Sequence, residues 1–519
     1  MSKEYIFRNK IYFDNCLKSA ERLIDRGKFS SATHLLKDLA TFAYGNCTGY
    51  YTNWKLESLL IQIGKNLTNE KEDFVFVNDI DKSNGLKILH IATTIYETGG
   101  HTRLLTNWIK NDPENTHGLV LTSQVDPLPS LLHETNHLLF KFHCLDVESS
   151  ILSRAESLRV ISKSFDLIIL HIHPDDIIPV IAYSVDDLPP IAFMNHADHI
   201  FSVGMSVSDI TLQIRPSCIE VDEERRGSRN QCFIPIPVEI TSNERKYDTS
   251  TARNILGLSS NEKILLSTGA AYKFTPSERH NFFACAITVL DKNPVARLVI
   301  AGIGKEDELA VRYDHPRITY LGLVSKDDLA IYEQACDLYI ESFPFASFTA
   351  MLQAGLLGKT IHLMPSPFFL SKFFKSRYPF EYASDANEWI NKLDNLLKDD
   401  VAFKDIQDDQ YSLLSVEYTK ANWQKWVSSF YCKARNIKHI TTISKKSKHY
   451  FGSNETALSL LDFHYSIPPL IRYVDLNFIN RLKQVFYFIQ TGRSLKEIGR
   501  KKILDFLFLP TRIRLINLF

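Results

Sequence analysis

Asp337-Leu-Tyr-Ile-Glu-Ser-Phe-Pro-Phe-Ala-Ser-Phe-Thr-Ala-Met-Leu-Gln-Ala-Gly355, continued by Leu356-Leu-Gly-Lys359, reads as a strand, a turn and a helix in direct succession. Leu338, Tyr339 and Ile340 make a short apolar strand, Pro344 sits in the loop that follows, and the small pair Ala346 and Ser347 opens a helix near Thr349. A strand that turns at once into a helix aims free backbone N–H groups and the positive helix end at one spot, as an anionic diphosphate requires.

Around this stretch, apolar runs alternate with helical patterns. In the second half they fall at residues 263–268, 296–301, 318–321, 338–340 and 360–363. In the first half they fall at 87–92, 117–122, 138–143, 166–171 and 191–195, with helical spacing at 102–109 and 177–183. Such alternation is the signature of a parallel sheet covered on both faces. The pattern breaks at Ile234-Pro-Ile-Pro237 and restarts after residue 251, so two doubly wound α/β domains joined near residue 240 are expected, with a ligand crevice between them at strand C-terminal ends. Apolar positions at i, i+3 and i+4 from Asn15 to Lys65 predict a helical hairpin and one further helix without a repeat. The expected divisions are 1–85, a helical prefix; 86–240, an N-terminal Rossmann-like domain; 241–432, a C-terminal Rossmann-like domain; and 433–519, a basic amphipathic extension.

A length of 519 residues exceeds one ordinary core. Lys+Arg and Asp+Glu balance at 60 each, so bulk charge argues against a nucleic-acid partner. The eight cysteines are scattered without C-x-x-C spacing, which excludes a zinc-knuckle or disulfide-framework reading and predicts reduced thiols in a cytoplasmic protein. The N-terminus lacks the order of a signal peptide and no run has the length of a membrane span, so neither secretion nor integral insertion is expected.

The chemistry concentrates at predicted strand ends. After the first strand come Gly99 and Gly100, then His101 and Arg103 at the start of a helix. Paired glycines permit close backbone approach to a phosphate, although such a pair is also a common turn. Asp166-Leu-Ile-Ile-Leu-His-Ile-His173 puts His171 and His173 on one face of a strand that Pro174 ends, and Asn195-His-Ala-Asp-His199 places His196 and Asp198 one strand later. A lone histidine there would be a satisfied structural residue; two polar clusters at successive strand ends are not core. His171, His173, His196 and His199 also raise a metal reading, against which the expectation is no metal and no cofactor. Lys273 follows the strand ending at Thr268, with an exposed loop lysine as its plain alternative. Ala301-Gly-Ile-Gly304 lacks the third glycine and the acidic residue of a dinucleotide fingerprint.

These segments resemble GT-B glycosyltransferases over roughly residues 86–430. The opening stretch resembles their donor loop, S/T-F-P-[FY]-[GN]-x-x-T-x-x-x-[ED]-A-x-x-x-G. Ser267-Thr-Gly-Ala-Ala-Tyr-Lys-Phe-Thr-Pro276 resembles the Tyr-Lys-[Ile/Phe]-x-Pro segment of the O-linked N-acetylglucosamine transferase group. His173 stands where several sugar transferases carry a His-x-His-[Glu/Asp] strand end, with Pro174 intervening before Asp175. The resemblance implies that Lys273, Ser347, Phe348 and Thr349 hold the donor diphosphate, that Gly302 and Leu323 border the nucleotide, and that Gln353 stands where relatives carry a carboxylate for the ribose. It implies that Gly99, Gly100, His101 and Arg103 face the donor from the first domain. His173 is the first candidate for a catalytic or sugar-orienting role, with His196 and Asp198 on the acceptor side. If transfer inverts the anomeric centre, one of these is a general base; if it retains, the donor phosphate takes the proton. Residues 418–430 resemble the helix that returns to the first domain.

From Pro468 the chain carries apolar residues at helical spacing, among them Phe478, Ile479, Leu482, Val485, Phe486 and Ile489, accompanied by lysines and arginines. This pattern fits an anionic membrane surface through residues 467–519, or a helix docked on the body or on a partner subunit. The expected function is transfer of a sugar from a nucleoside diphosphate sugar to a saccharide or lipid-linked saccharide in bacterial surface polysaccharide synthesis, in a cytoplasmic protein peripheral to the inner face of the membrane. The alternatives are a nucleotide-sugar 2-epimerase of the same architecture and an inactive sugar-nucleotide-binding scaffold.

Overall fold

The computed structural model describes residues 3–67, 85–97, 100–135, 138–236, 238, 240, 245–276, 280–365, 373–443, 447–450, 478–490, 503–504 and 507. Met1–Ile214, Cys218–Ile234 and Ser428–Phe519 make one compact unit; Arg215–Ser217 and Pro235–Val427 make the other.

The first unit holds a seven-stranded sheet in the order β3-β2-β1-β4-β5-β6-β7, every neighbouring pair parallel. Its strands are β1 (Lys87–Ala92), β2 (Thr116–Leu121), β3 (Leu139–Cys144), β4 (Leu167–His171), β5 (Ile191–Asn195), β6 (Ile210–Gln213) and β7 (Cys232–Phe233). Strands buried on both faces need continuous apolar runs, and Ile168, Ile169 and Leu170 have no exposed surface. The last two strands lie in a segment without an expected strand: Ile210–Gln213 is only four residues long and is followed by a polar stretch, so its apolar content is too brief to register. The order reverses between β1 and β4, the neighbouring strands whose following loops diverge to opposite sides of the sheet.

The prefix comprises helices Lys3–Asp25, Phe29–Gly45 and Trp54–Gly64. The first begins well before the expected Asn15, because Ile6, Tyr12 and Phe13 extend the apolar stripe towards the N-terminus. Polar ties build these helices into the first unit. The buried Glu57 carboxylate accepts the N–H groups of Gly204, Met205 and Ser206 at 2.9, 3.1 and 2.7 Å. Buried Arg159 donates to the carbonyls of Gly64, Ile181 and Ala182. The chain rejoins this unit within the helix Lys420–Ala434, from Ser428 onward, where Phe430 meets Trp108 edge-on at 6.2 Å.

The second unit is a five-stranded parallel sheet, β10-β9-β8-β11-β12. Its strands are β8 (Lys263–Thr268), β9 (Ala296–Ala301), β10 (Ile318–Tyr320), β11 (Leu338–Ile340) and β12 (Thr360–His362). Here the reversal falls between β8 and β11, so the loops ending in Lys273 and Ser347 flank it.

Candidate functional site

In the second unit the turn after β8 places Lys273 against the loop after β11. The Phe345 N–H donates to the Lys273 carbonyl at 3.2 Å, and the Ser347 hydroxyl donates to the Thr268 carbonyl at 2.5 Å. Among the described residues the Lys273 ammonium reaches only Ala346 O and Ser347 Oγ, both at 3.4 Å, long contacts for a cation with three N–H donors. Burial pushes its pKa below the ordinary lysine value, against the pull of Glu341. A partly buried, weakly bonded ammonium beside a helix start is built to meet an anion. The helix Thr349–Leu356 supplies the rest: among the described residues the N–H groups of Phe348, Thr349 and Met351 donate to no acceptor, and that of Ala350 reaches only Ser347 O, at 3.4 Å. Phe348, at the helix N-cap, holds φ +37°, and the Arg215 guanidinium lies 5.0 Å from its ring centroid.

Two glycines make the approach feasible. A Cβ on Gly269 would come within 2.9 Å of Lys273 Cδ, and one on Gly302, at φ +103°, within 2.4 Å of Gly269 O. The Gly302 N–H donates to Gly322 O at 2.8 Å, which ties the loop after β9 to the loop carrying Leu323. Leu323 itself is 96% exposed. Gln353 Nε2 donates to Glu333 Oε2 at 3.0 Å, so a neighbouring helix brings a carboxylate to the amide that stands in the carboxylate position of the resemblance. Glu333 drew no notice in the sequence; its link to Gln353 exists only once the two helices pack.

In the first unit the site forms where the order reverses. Gly99 lies outside the described residues, and Gly100 is the exposed first residue of the helix Gly100–Asn111. One residue on, His101 Nε2 donates to His171 O at 2.7 Å. The His101 ring centroid lies 4.6 Å from that of His196 and 6.0 Å from that of His173. His173 stacks on Tyr96 at 5.9 Å, and its ring nitrogen Nε2 is 3.3 Å from Thr94 Oγ1. Burial, reinforced by neighbouring imidazoles, holds His101 down to about 4 and His196 well below the usual imidazole value. Burial also lowers His173, with Asp175 and Asp176 opposing. The cluster is therefore a set of neutral imidazoles at neutral pH.

His101, His173 and His196 thus come together, while Asp198 and Arg103 have other surroundings. Asp198 is buried and accepts the Cys218 thiol at 2.7 Å, with His199 at 3.7 Å. The Arg103 side chain is exposed. Beneath the cluster lies a chain that the sequence did not disclose: His171 Nε2 to His90 Nδ1 at 3.0 Å, His90 Nε2 to His117 Nδ1 at 3.0 Å, and His117 Nε2 to Asp112 O at 2.9 Å. The described residues contain no group of three or more metal-ligating side chains placed to hold an ion.

No protein-family model and no curated protein sequence matches the chain. Solved structures do. A HepE structure from Anabaena, in complex with UDP and glucose, aligns at a TM-score of 0.52 and 13% identity over 67% of this chain and 100% of that one. An O-GlcNAc transferase variant from Thermobaculum terrenum aligns at 0.52 and 11% identity, over 83% of this chain and 82% of that one. A glycosyltransferase from Rickettsia africae aligns at 0.53 and 13% identity, over 68% and 99%. At these identities the likeness is one of fold: the two doubly wound units have the GT-B architecture, as the motifs led one to expect.

Proposed function

We propose that this chain is a glycosyltransferase that moves a sugar from a nucleoside diphosphate sugar to a saccharide or lipid-linked saccharide, in the assembly of a surface polysaccharide. The observation that carries the reading is the Lys273 ammonium, held by two 3.4 Å contacts beside the open N–H groups of Phe348 and Thr349. As the glycosidic bond to the donor breaks, negative charge builds on the departing diphosphate, and a fixed cation with a helix end stabilises it without solvent reorganisation. No resident metal or cofactor enters this scheme. His101, His173 and His196, neutral and clustered, are the groups to accept hydroxyl protons or orient a sugar ring. Structures of the same fold, HepE in complex with UDP and glucose and the Rickettsia africae glycosyltransferase, support the reading.

The extension supports an acceptor presented at an anionic membrane on the cytoplasmic face. Between Arg481 and Arg514 nine lysines and arginines stand against Glu497 and Asp505. In the helix Phe478–Gln490, Val485 is buried while Ile479, Leu482 and Ile489 are exposed. No described helix is long and apolar enough to cross a membrane.

A thermal-shift screen of the full chain against UDP, GDP, CMP and dTDP sugars tests the donor site, because a ligand of the folded state raises the melting point by mass action. Stabilisation by one nucleotide class, lost in Lys273→Ala, is the expected outcome. Removing one charge-assisted partner weakens binding by about 1.5–3 kcal/mol. Absence of any shift, or a shift that survives the substitution in full, rejects the assignment.

A further inference from the structure

Glu341 is 1% exposed and stands at the start of the loop that the proposed function assigns to the diphosphate. Its Oε1 accepts the N–H groups of Ser342 at 2.9 Å and Ser347 at 2.6 Å. Its Oε2 is buried and has no hydrogen-bond partner among the described residues. Ser347 links it to the proposed anion site: the backbone N–H of that residue is on Glu341, its hydroxyl is within 3.4 Å of the Lys273 ammonium, and the open N–H of the helix follows two residues later.

We propose that Glu341 is a positioning residue that meets the donor diphosphate as a carboxylic acid, with Oε2–H donating to a phosphate oxygen while Oε1 retains the Ser342 and Ser347 N–H groups, so that binding takes up one proton. This rests on the diphosphate reading of the Lys273 site. An ionised carboxylate so close to a diphosphate is repelled by it, and its bare Oε2 has no proton to offer. Protonation removes the charge and converts the unpartnered acceptor into a donor beside an acceptor-rich ligand. The proton comes from solvent and stays on Oε2; no covalent bond other than O–H forms or breaks.

The groups facing Glu341 favour this behaviour. Lys273, on the turn after β8, is the cation that acts on it, and a diphosphate would compete for that cation. Tyr339 on β11 and Tyr382, from the segment before the helix Ala386–Lys398, also face it; burial keeps both phenols protonated. His362 on β12 turns its Nε2 to Trp389 O, 3.2 Å away. Burial already raises Glu341 above the usual carboxylate value in the free protein.

Titration calorimetry of the full chain with UDP-glucose, GDP-glucose and dTDP-glucose, in two buffers of different ionisation heat at pH 6, 7 and 8, reads the proton directly. The diphosphate diester of these probes does not titrate in that range. The expected result for the nucleotide that binds is net uptake of up to one proton and an affinity that falls as pH rises, by as much as tenfold per pH unit. Glu341→Gln keeps an acceptor for the two N–H groups and supplies an N–H donor, so it is expected to bind with no proton uptake and a flat pH profile. Binding by the wild-type chain without proton uptake, or uptake that persists in Glu341→Gln, overturns the inference while leaving the donor site intact. Failure of all three probes to bind the wild-type chain overturns the donor-site reading and this inference with it.

Discussion

The Nε2–H of His101 donates to the main-chain carbonyl of His171 at 2.7 Å, and that bond fixes the chemistry of the ring. A carbonyl only accepts, so Nε2 carries the hydrogen and Nδ1 is left as a bare acceptor. Nδ1 is buried with no partner among the described residues, and the ring stays neutral down to about pH 4. His196 is set in the same way: its Nδ1 faces Met194 O at 3.2 Å, which leaves Nε2 as the acceptor. Two neutral acceptors of fixed tautomer, at the point where the sheet order reverses, fit ligands that offer hydroxyl protons.

His101→Ala should therefore lower kcat for the proposed transfer by about 100-fold or more, the usual contribution of a positioned acid–base group. Donor-nucleotide binding should stay within about twofold, because the proposed diphosphate contacts, Lys273 and Ser347, belong to the other unit. Steady-state kinetics with the donor identified by thermal shift checks both numbers; a large rise in KM with unchanged kcat rejects the base assignment.

The histidine chain under this site is also fixed in tautomer. Asp112 O accepts from His117 Nε2, so His117 Nδ1 must accept from His90 Nε2, and His90 Nδ1 in turn accepts from His171 Nε2. The end of the chain is held by Tyr431, whose hydroxyl donates to Asp112 Oδ2 at 2.5 Å and accepts from Trp108 Nε1 at 2.8 Å. Tyr431→Phe leaves a buried carboxylate oxygen and an indole N–H each short of one partner. Urea unfolding should show a loss of about 2–6 kcal/mol, from two groups that each lose a partner at about 1–3 kcal/mol apiece. Less than about 0.5 kcal/mol would show that the pair is satisfied by other means.

Apart from β6 and β7, the strands of both parallel sheets were legible because strands buried on two faces must be apolar throughout, and the loops at their ends must carry small or polar residues where a ligand approaches. Lys273, Ser347, His101, His173 and His196 all lie in or next to those loops, and the resemblance of the loops to GT-B motifs singled them out. His90 and His117 were invisible for the converse reason: each sits within an apolar strand, and only the lateral order β2-β1-β4 brings their nitrogens into line. Asp175 looked like part of the strand-end site, yet Lys37 and Thr41 of the prefix hold its carboxylate at 2.8 and 2.7 Å, a partnership across more than 130 positions that no local pattern encodes. Glu341 escaped notice because its bond to the Ser347 N–H forms only when the loop after it folds back.

Acid should weaken the fold through its buried histidines. His362 is held at about 4 by burial, so between that value and about 6.5 the unfolded chain binds the extra proton. Its contribution is complete above about pH 6.5 and is lost as pH falls towards 4, at up to about 1.4 kcal/mol per pH unit. Stability measured by urea between pH 7 and 5 should fall, and His362→Leu should reduce that slope by up to one proton. An unchanged slope would mean that the imidazole is already exposed or charged in the folded state.

Vesicle sedimentation should separate the two fates of the C-terminal helix. Each cation near an anionic surface adds about 1 kcal/mol, so binding to vesicles containing phosphatidylglycerol should far exceed binding to neutral ones and weaken with salt. Leu482→Glu with Ile489→Glu, both at exposed positions, should abolish it without shifting the melting point. Equal recovery with both vesicle types, or with the double variant, indicates that the helix docks on protein instead.

Gly302 is the position where backbone geometry and site construction coincide. At φ +103° an L side chain is strained by about 1–3 kcal/mol wherever it stands, and here the new Cβ would also press to within 2.4 Å of Gly269 O. That carbonyl belongs to the turn that leads to Lys273, so the clash can be relieved only by moving the ammonium's support. Gly358 provides the control, with φ +77° and nothing within 4 Å of an added Cβ. Gly358→Ala should cost only the backbone strain. Gly302→Ala should lower the melting temperature by several degrees more, at about 2–4 °C per kcal/mol for a unit of this size, and should also weaken sugar-nucleotide binding. If the two alanine variants melt together and bind alike, the loops after β8 and β9 do not share the close approach on which the Lys273 site is built.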